Sequence, residues 1–423
     1  MADLQEKQVV TCFLRNRGAI LLLRRSDQVG SYQGKWGAVS GYVEGTPEET
    51  AHREIAEETG LERAVELVRQ GEPFAVEDEA LGTRWIVHPF LFDCAHRDLR
   101  LDWETTEAVW APPPAILHRD TVPSLWTSYT RVAPTVEFIQ ADRASGSATL
   151  SYRALEVLRD CAGERIHQKE DTETDWAILA ALARRLLDAR PSMAALHNRI
   201  NRVMHTCRDE PLAEAIEREA QAGIERAIAA DERTAQHAAG FIAGRRVFTL
   251  SRSGTVLDAL RRADPPPPMI VVAESRPGGE GVDVADELAR EGRNVMLIPD
   301  TALPQFFARE SVDVALVGAD TVLPTGGVVN KVGTYLAALV AKPHRIPFYV
   351  ASASDKVSTD PEPHLEASSP DDLYAGPAPV EVFCPLFEVT PAKLLSGIIT
   401  EYGLLAPVEM QDLAFELKAL ETW

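Results

Sequence analysis

Along the chain, the pattern of apolar and polar positions changes character twice. Val9 to Leu14 and Ala19 to Leu23 are almost continuously apolar, and Asn16-Arg17-Gly18 between them supplies a turn, so a β-hairpin of buried strands is expected. Trp85 to Phe92 reads as a further strand, with Pro89 hinting at an edge or a bulge. Pro47 to Thr59 is instead a short helix: Thr46 is a good N-cap, Pro47 suits the first turn, Glu49 completes a capping box and Gly60 stops the helix. Strands flanking a helix predict an α+β or αβα arrangement for residues 1–140.

The small, polar stretch 141–150 contains glycine and marks a linker. Apolar spacing is then helical in Ser151 to Asp160, Thr174 to Asp188, Met193 to Met204 and Pro211 to Gly240, which predicts a helical subdomain over residues 151–240. The stripe formed by Trp176, Leu179, Leu182, Leu186 and Leu187 suits a core or a dimer-packing face. From residue 241 to 423 the texture changes again. Short β-rich runs (Arg246 to Leu250, Met269 to Ala273, Asn294 to Ile298, Val312 to Val317, Ile346 to Val350) are mostly separated by helical lengths such as Val256 to Arg262 and Thr334 to Ala341. That alternation predicts an α/β fold with a doubly wound, mostly parallel, Rossmann-like sheet.

Composition narrows the function. With 45% hydrophobic and 25% charged residues the 423-residue chain is ordinary globular material, long enough for two or three domains. A formal net charge of -21, with only 8 Lys among 43 basic residues, argues against bulk binding to nucleic acid. The five cysteines are scattered and form no CxxC pair, so neither a disulfide framework nor a zinc site is indicated, and a reducing cytoplasm is the expected setting. No signal peptide and no membrane span are read.

The strongest chemical signal lies on the first helix. Glu54, Glu57 and Glu58 stand at i, i+3 and i+4, so three carboxylates share one face. Their mutual repulsion is removed by a hard divalent cation, which takes oxygen ligands. Arg53-Glu54-Ile55-Ala56-Glu57-Glu58-Thr59-Gly60-Leu61 resembles the second half of the Nudix hydrolase box, and the resemblance covers residues 7 to 140. It implies an αβα sandwich in which Glu54, Glu57 and Glu58 hold Mg²⁺ (or Mn²⁺), with the Gly41 carbonyl as a further ligand. It also implies hydrolysis of a nucleoside diphosphate derivative. The first half of the box departs from the pattern: its Glu falls on Gly45, and the loop is about two residues short if Gly41 is the true counterpart of its Gly. Glu44 or Glu48 is then left to pair with Arg53. Asp102, Glu104 and Glu107 are the later candidates for a general base. Arg24, Arg25, Lys35 and Arg84 are candidates to meet phosphates, and Trp36, Trp85 and Trp110 to stack on a base.

In the C-terminal part the residues just after each strand carry the information, because ligands bind beyond the C-terminal strand ends of such sheets. Ser251-Arg252-Ser253-Gly254, Glu274-Ser275-Arg276-Pro277, Gly318-Ala319-Asp320 and Asn330-Lys331-Val332-Gly333-Thr334 combine glycine turns, helix N-termini and cations, which suits a phosphate-bearing ligand. With Thr390-Pro391 and Thr400-Glu401-Tyr402-Gly403, these segments resemble the initiation factor 2B alpha/beta/delta family over residues 150 to 410. That family includes methylthioribose-1-phosphate and ribose-1,5-bisphosphate isomerases. The resemblance implies a catalytic Asp320, sugar-phosphate or nucleotide binding by Arg276, Asn330, Lys331, Ser251 and Gly254 with Lys356 as a weaker candidate, and a homodimer or larger assembly through this half. Ser251 stands where the isomerases carry Cys, and a hydroxyl is a poor substitute for a thiol in proton transfer. The expected function is a diphosphate hydrolase, with ADP-ribose as the suggested substrate, fused to a sugar-phosphate-binding module. Alternatives are a bifunctional hydrolase and ribose-1,5-bisphosphate isomerase, and a non-catalytic regulator resembling a translation factor.

Overall fold

The computed structural model describes residues 4–62, 64–142, 145–376 and 378–423. Arg143 and Ala144 of the expected linker lie outside the described residues. Two compact units are resolved, the first comprising residues 1–136, 156–180 and 210–224 and the second residues 137–155, 181–209 and 225–423.

The first unit is built on an eight-stranded sheet. Its strands are β1 (Gln5–Asn16), β2 (Ala19–Arg25), β3 (Trp36–Gly37), β4 (Val39–Tyr42), β5 (Val65–Gln70), β6 (Phe74–Asp78), β7 (Thr83–Cys94) and β8 (Thr105–Ala111), and between β4 and β5 lies helix α1 (Pro47–Thr59). The main path runs β3-β2-β1-β7-β5, with β4 against β1, β6 against β7 and β8 against β2. Among the described strand pairs of this sheet, β1–β7 alone is parallel. Successive residues of a strand face opposite sides of a sheet, and the strands obey this closely. Cys12, Leu14, Leu21, Leu23, Phe90 and Phe92 pack on the side of Ala51 and Ile55 of α1. Phe13, Ile20, Leu22 and Leu91 pack on the opposite side with Leu125 and Tyr129, the latter pair from helix α2 (Leu125–Thr130). The unit is thus an αβα sandwich.

The ends of α1 follow its local chemistry. Thr46 accepts from the Glu49 N–H while the Glu49 side chain reaches back to the Thr46 N–H, and Gly60 closes the helix at φ 74°. Pro89 is neither on an edge nor in a bulge. It lies inside β7 where the antiparallel partner changes from β6, paired with Thr83 to Val87, to β5, paired with Phe90 to Cys94; its carbonyl still accepts from Gly71 N–H at 2.9 Å. A proline is tolerated in this central strand because its missing donor falls at the handover between partners.

The helices that follow are α3 (Val136–Ala141), which was not expected, α4 (Ser147–Gln168), which begins inside the expected linker and extends the predicted 151–160 at both ends, and α5 (Thr172–Ala189), α6 (Ala194–Cys207) and α7 (Ala213–Ile242), close to the predicted ranges. Parts of α4, α5 and α7 complete the first unit. There Arg159 is fully buried, donating to the Gly18 carbonyl at 2.6 Å and to Gln221 at 2.9 Å. Arg15 reaches Glu156 at 3.2 Å and Asp93 at 2.8 Å.

The second unit contains a seven-stranded sheet of β9 (Val247–Leu250), β10 (Ile270–Ala273), β11 (Val295–Ile298), β12 (Val314–Val317), β15 (Phe348–Ala351), β17 (Gly397–Thr400) and β18 (Gly403–Leu405). Its order is β11-β10-β9-β12-β15-β17-β18, parallel except for β18. The chain leaves β9 toward one edge and returns at β12 toward the other, so the topological switch lies between these two strands. Crossover helices α8 (Gly254–Arg262), α9 (Glu280–Arg290), α10 (Leu303–Arg309) and α11 (Thr334–Ala341) match the expected positions within a few residues, and α12 (Met410–Lys418) follows the sheet. A separate antiparallel sheet of β13 (Thr321–Val322), β14 (Val328–Lys331) and β16 (Phe387–Thr390) was not expected. No helix among the described residues is long and apolar enough to cross a membrane.

Candidate functional site

In the first unit, α1 and the end of β4 create the site. β4 runs antiparallel to β1, pairing Gly41 with Val10, and its end lies over α1. A Cβ on Gly41 would sit 2.1 Å from the Glu54 carboxyl carbon, so only glycine leaves room for that carboxylate. The Ser40 N–H donates to Glu58 at 3.0 Å, fixing a second carboxylate under the same strand. Arg53 bridges Glu44 and Glu54 at 2.9 Å each, so Glu44 supplies the partner that the shortened loop left open.

The electrostatics report crowded negative charge. Burial, together with Asp102, Glu54 and Glu104, pushes the Glu58 carboxyl up to about 8, although the Ser40 N–H partly opposes this. Burial raises Glu54, and burial and Asp102 raise Glu104. Asp102 and Glu104, two of the later-loop candidates, therefore face the helical carboxylates. Glu107 instead pairs with Arg24 at 3.6 Å on β2.

Among the described residues, no three His, Cys, Asp or Glu side chains form a ready metal cage. The donor set still fits a hard cation. It consists only of carboxylates and backbone carbonyls, burial raises the Glu58 and Glu54 carboxyls, and Gly41 leaves open the space a ligand carboxylate needs.

A cavity of about 570 Å³ opens onto this cluster, lined by Gly41, Arg53, Glu54, Glu57 and Glu104 and also by the aromatic residues Tyr32, Tyr42, Trp85 and Trp103. Of the three tryptophans singled out as stacking candidates, only Trp85 lines it. Trp36 is buried in the opposite face of the sandwich under Arg119, and Trp110 packs against the α1-side core. Arg25 lines the cavity, whereas Lys35 pairs with Asp120 at 2.5 Å and Arg84 with Glu6 at 3.5 Å. Tyr42 and Trp103 were not singled out from the sequence. A single exposed aromatic has no periodicity that distinguishes it.

In the second unit the strand ends around the switch point gather the other candidates. Ser251 follows β9 at φ 58° and donates its N–H to the Ser275 hydroxyl at 2.7 Å; Ser275 follows β10 at φ 66°. Two non-glycine residues held in the left-handed region side by side store strain where a ligand site is expected. Asp300 accepts from the backbone N–H groups of Ser275 and Arg276 at 2.9 and 2.7 Å. Gly254 opens α8 behind the Ser253 cap, and the exposed Arg276 side chain reaches Glu274 at 3.4 Å. Asn330 and Lys331, read as a loop, are the buried end of β14. Asn330 donates to Thr334 at 3.0 Å, and Lys331 is held by the Pro277 carbonyl and by Glu280 at 2.8 Å. Burial raises Asp320, opposed by Lys356, by a hydrogen bond to Ser147 and by Lys331. The Lys356 ammonium is anchored on the Ala319 carbonyl at 2.8 Å. The structure thus draws Ser251, Arg276, Lys331 and Asp320 to one end of the sheet.

Comparisons with known proteins find two family matches in succession along the chain. The model of the initiation factor 2 subunit family matches residues 143–407, and that of the NUDIX domain matches residues 5–132. A ribose 1,5-bisphosphate isomerase of Archaeoglobus fulgidus is 32% identical over 296 residues, 65% of this chain and 90% of the relative. A methylthioribose-1-phosphate isomerase of Thermosynechococcus vestitus is 40% identical over 148 residues, 32% of this chain and only 42% of the relative's length. The crystal structure of translation initiation factor eIF-2B from Pyrococcus horikoshii OT3 superposes with a TM-score of 0.55 at 28% identity, covering 64% of this chain and 95% of that one.

Proposed function

The chain belongs to the initiation factor 2 subunit family and carries a NUDIX domain ahead of the family match, and from that premise we propose a metal-dependent hydrolase of a nucleoside diphosphate derivative joined to a sugar-phosphate-binding module. The observation that carries the reading is the cavity in which Glu54, Glu57 and Glu104 meet an aromatic wall. The carboxylates repel one another and are matched by a cation, which in turn matches a phosphate.

Glu54, Glu57 and Glu58, with the Gly41 carbonyl, would hold Mg²⁺ or Mn²⁺, which would neutralise phosphoryl oxygens and acidify water there. The chain's own residues prepare for this. Ser40 orients Glu58 through its backbone N–H, and Arg53 orients Glu54 while balancing Glu44. Glu104 lines the cavity with its carboxyl raised by burial and by Asp102, a direction that makes it a better proton acceptor.

In the second unit, Ser251, Arg276 and Asp320 are proposed to face a phosphorylated sugar or nucleotide. Isomerase chemistry is the weaker reading. Ser251 supplies a hydroxyl at the position where a thiol is needed, and the Lys331 charge is already balanced by Glu280.

The test is a panel of diphosphate substrates that includes ADP-ribose, assayed with Mg²⁺ on wild type and Glu57→Gln. Wild type is expected to release AMP from ADP-ribose, and Glu57→Gln to lose at least about a hundredfold in rate. Absence of Mg²⁺-dependent turnover across the panel would leave a non-catalytic binding module.

A further inference from the structure

Two aromatic side chains on the wall of the carboxylate cavity are exposed, which leaves their faces open to a ligand in that cavity. Tyr42, the last residue of β4, is 53% exposed, and Trp103 is 60% exposed. Trp103 lies on the loop between β7 and β8, between Asp102 and Glu104, whose charges act on Glu58. That loop is pinned: Glu104 N–H donates to Asp102 at 3.0 Å, and the Glu104 carbonyl accepts from Ser26 N–H at 2.7 Å. Among the described residues, Trp103 has neither a ring nor a hydrogen-bond partner.

Tyr42 is backed by built structure. Its ring lies 6.1 Å from that of Trp85 at 35°, and Trp85 donates its indole N–H to the Tyr32 hydroxyl, which in turn donates to Asp78 at 2.7 Å. The Lys7 ammonium lies 5.8 Å from the Tyr42 ring and 5.7 Å from the Trp85 ring, so both rings face a cation as well. A fixed aromatic platform and a free indole therefore line one cavity with the acidic residues.

We propose that Tyr42 and Trp103 are the specificity residues of this site and that they grip the planar base of a nucleoside diphosphate whose phosphates face Glu54 and Glu57. The proposal rests on the hydrolase reading for the identity of the phosphate end, but the grip itself is a binding property. A base offers a flat face to stack on, whereas a diphosphate without a base gives these rings nothing to hold.

The experiment measures affinity by calorimetry and tryptophan fluorescence in Mg²⁺, with ADP and inorganic pyrophosphate as paired probes. Trp103→Ala is expected to weaken ADP about tenfold or more, within the range a single stacked base contributes, and to leave pyrophosphate unchanged. Trp103→Phe restores most of the loss, and Tyr42→Ala acts in the same direction as Trp103→Ala. Equal weakening of both probes by Trp103→Ala, or unchanged ADP affinity, overturns the grip. If no diphosphate is turned over while ADP binding still depends on Trp103, the hydrolase reading falls and the grip stands.

Discussion

Glu58 is the residue whose surroundings most change what its type alone implies. On a bare helix it would be one of three equivalent glutamates, but burial beneath β4 lifts its carboxyl from the ordinary value to about 8. The folded protein therefore binds a proton that the unfolded chain releases near pH 4.5. Stability contributed through this group is greatest below that value and is lost as pH rises toward 8, with Glu54 and Glu104 acting in the same direction. A cation needs the deprotonated carboxylate, so Mg²⁺ should bind more tightly, and stabilise more, as pH rises over the same interval. Thermal melts from pH 5 to 9 with and without Mg²⁺ are expected to show a metal-induced rise in Tm that grows toward pH 8. Glu58→Gln should be more stable than wild type at pH 8 without metal and should lose the Mg²⁺ response; a response independent of pH would contradict this account. The spacing of the three glutamates was legible because helix geometry is local. The burial of Glu58 was not, because it depends on a strand that starts 19 residues earlier and closes over the helix. Tyr42 and Trp103 were hidden for the same reason, since only the fold brings them to one cavity.

At the scale of elements, local chemistry predicted well and pairing predicted poorly. Helix α1 was expected over Pro47 to Thr59 and is found there, because its capping box and terminal glycine act within one turn of its ends. Strands β9, β10, β11, β12 and β15 of the second unit were legible from strand and helix lengths, with their ends shifted by one or two residues, whereas β17 and β18 were not read as strands. Strands β13, β14 and β16 escaped because β13 is only two residues long and β14 and β16 find each other far along the chain. Pro89 misled because its tolerance depends on where β6 and β5 meet β7. The contact between β4 and α1 gives a prediction at this scale. Replacing Gly41 by Ala places a methyl where the Glu54 carboxylate now sits, and neither the strand pairing nor the helix start needs that space. Overpacking of this kind costs about 1–3 kcal/mol. Gly41→Ala is therefore expected to fold with a modest loss of stability in denaturant melts. Its larger effect should be on Mg²⁺, whose stabilisation should largely disappear as Glu54 is pushed aside; an undiminished Mg²⁺ response would show that Glu54 is not a ligand.

At the scale of the whole molecule, the first compact unit does not end at the last residue matched to the NUDIX domain. It takes in residues 156–180 and 210–224. What ties them in is polar as well as apolar. Arg159 bonds to the Gly18 carbonyl in the first hairpin, to Gln221 and to Asp160, while the Tyr129 hydroxyl donates to Asp160 at 2.7 Å. Gly18 itself, at φ 74°, has Ile224 3.1 Å from where a Cβ would sit. Burial works against both charges of the Arg159–Asp160 pair, and each offsets the cost for the other. Removing one partner of a buried pair leaves the second uncompensated, at a cost of about 3–5 kcal/mol. Arg159→Ala should therefore destabilise this unit by about that amount, although the residue lies outside the NUDIX match. Tryptophan fluorescence can follow the effect selectively, because six of the seven tryptophans belong to this unit and only Trp423 to the other. In urea the tryptophan transition is expected to move to clearly lower concentration. A shift worth less than about 1 kcal/mol would mean that Asp160 finds another partner and that these helical segments are dispensable to the first unit.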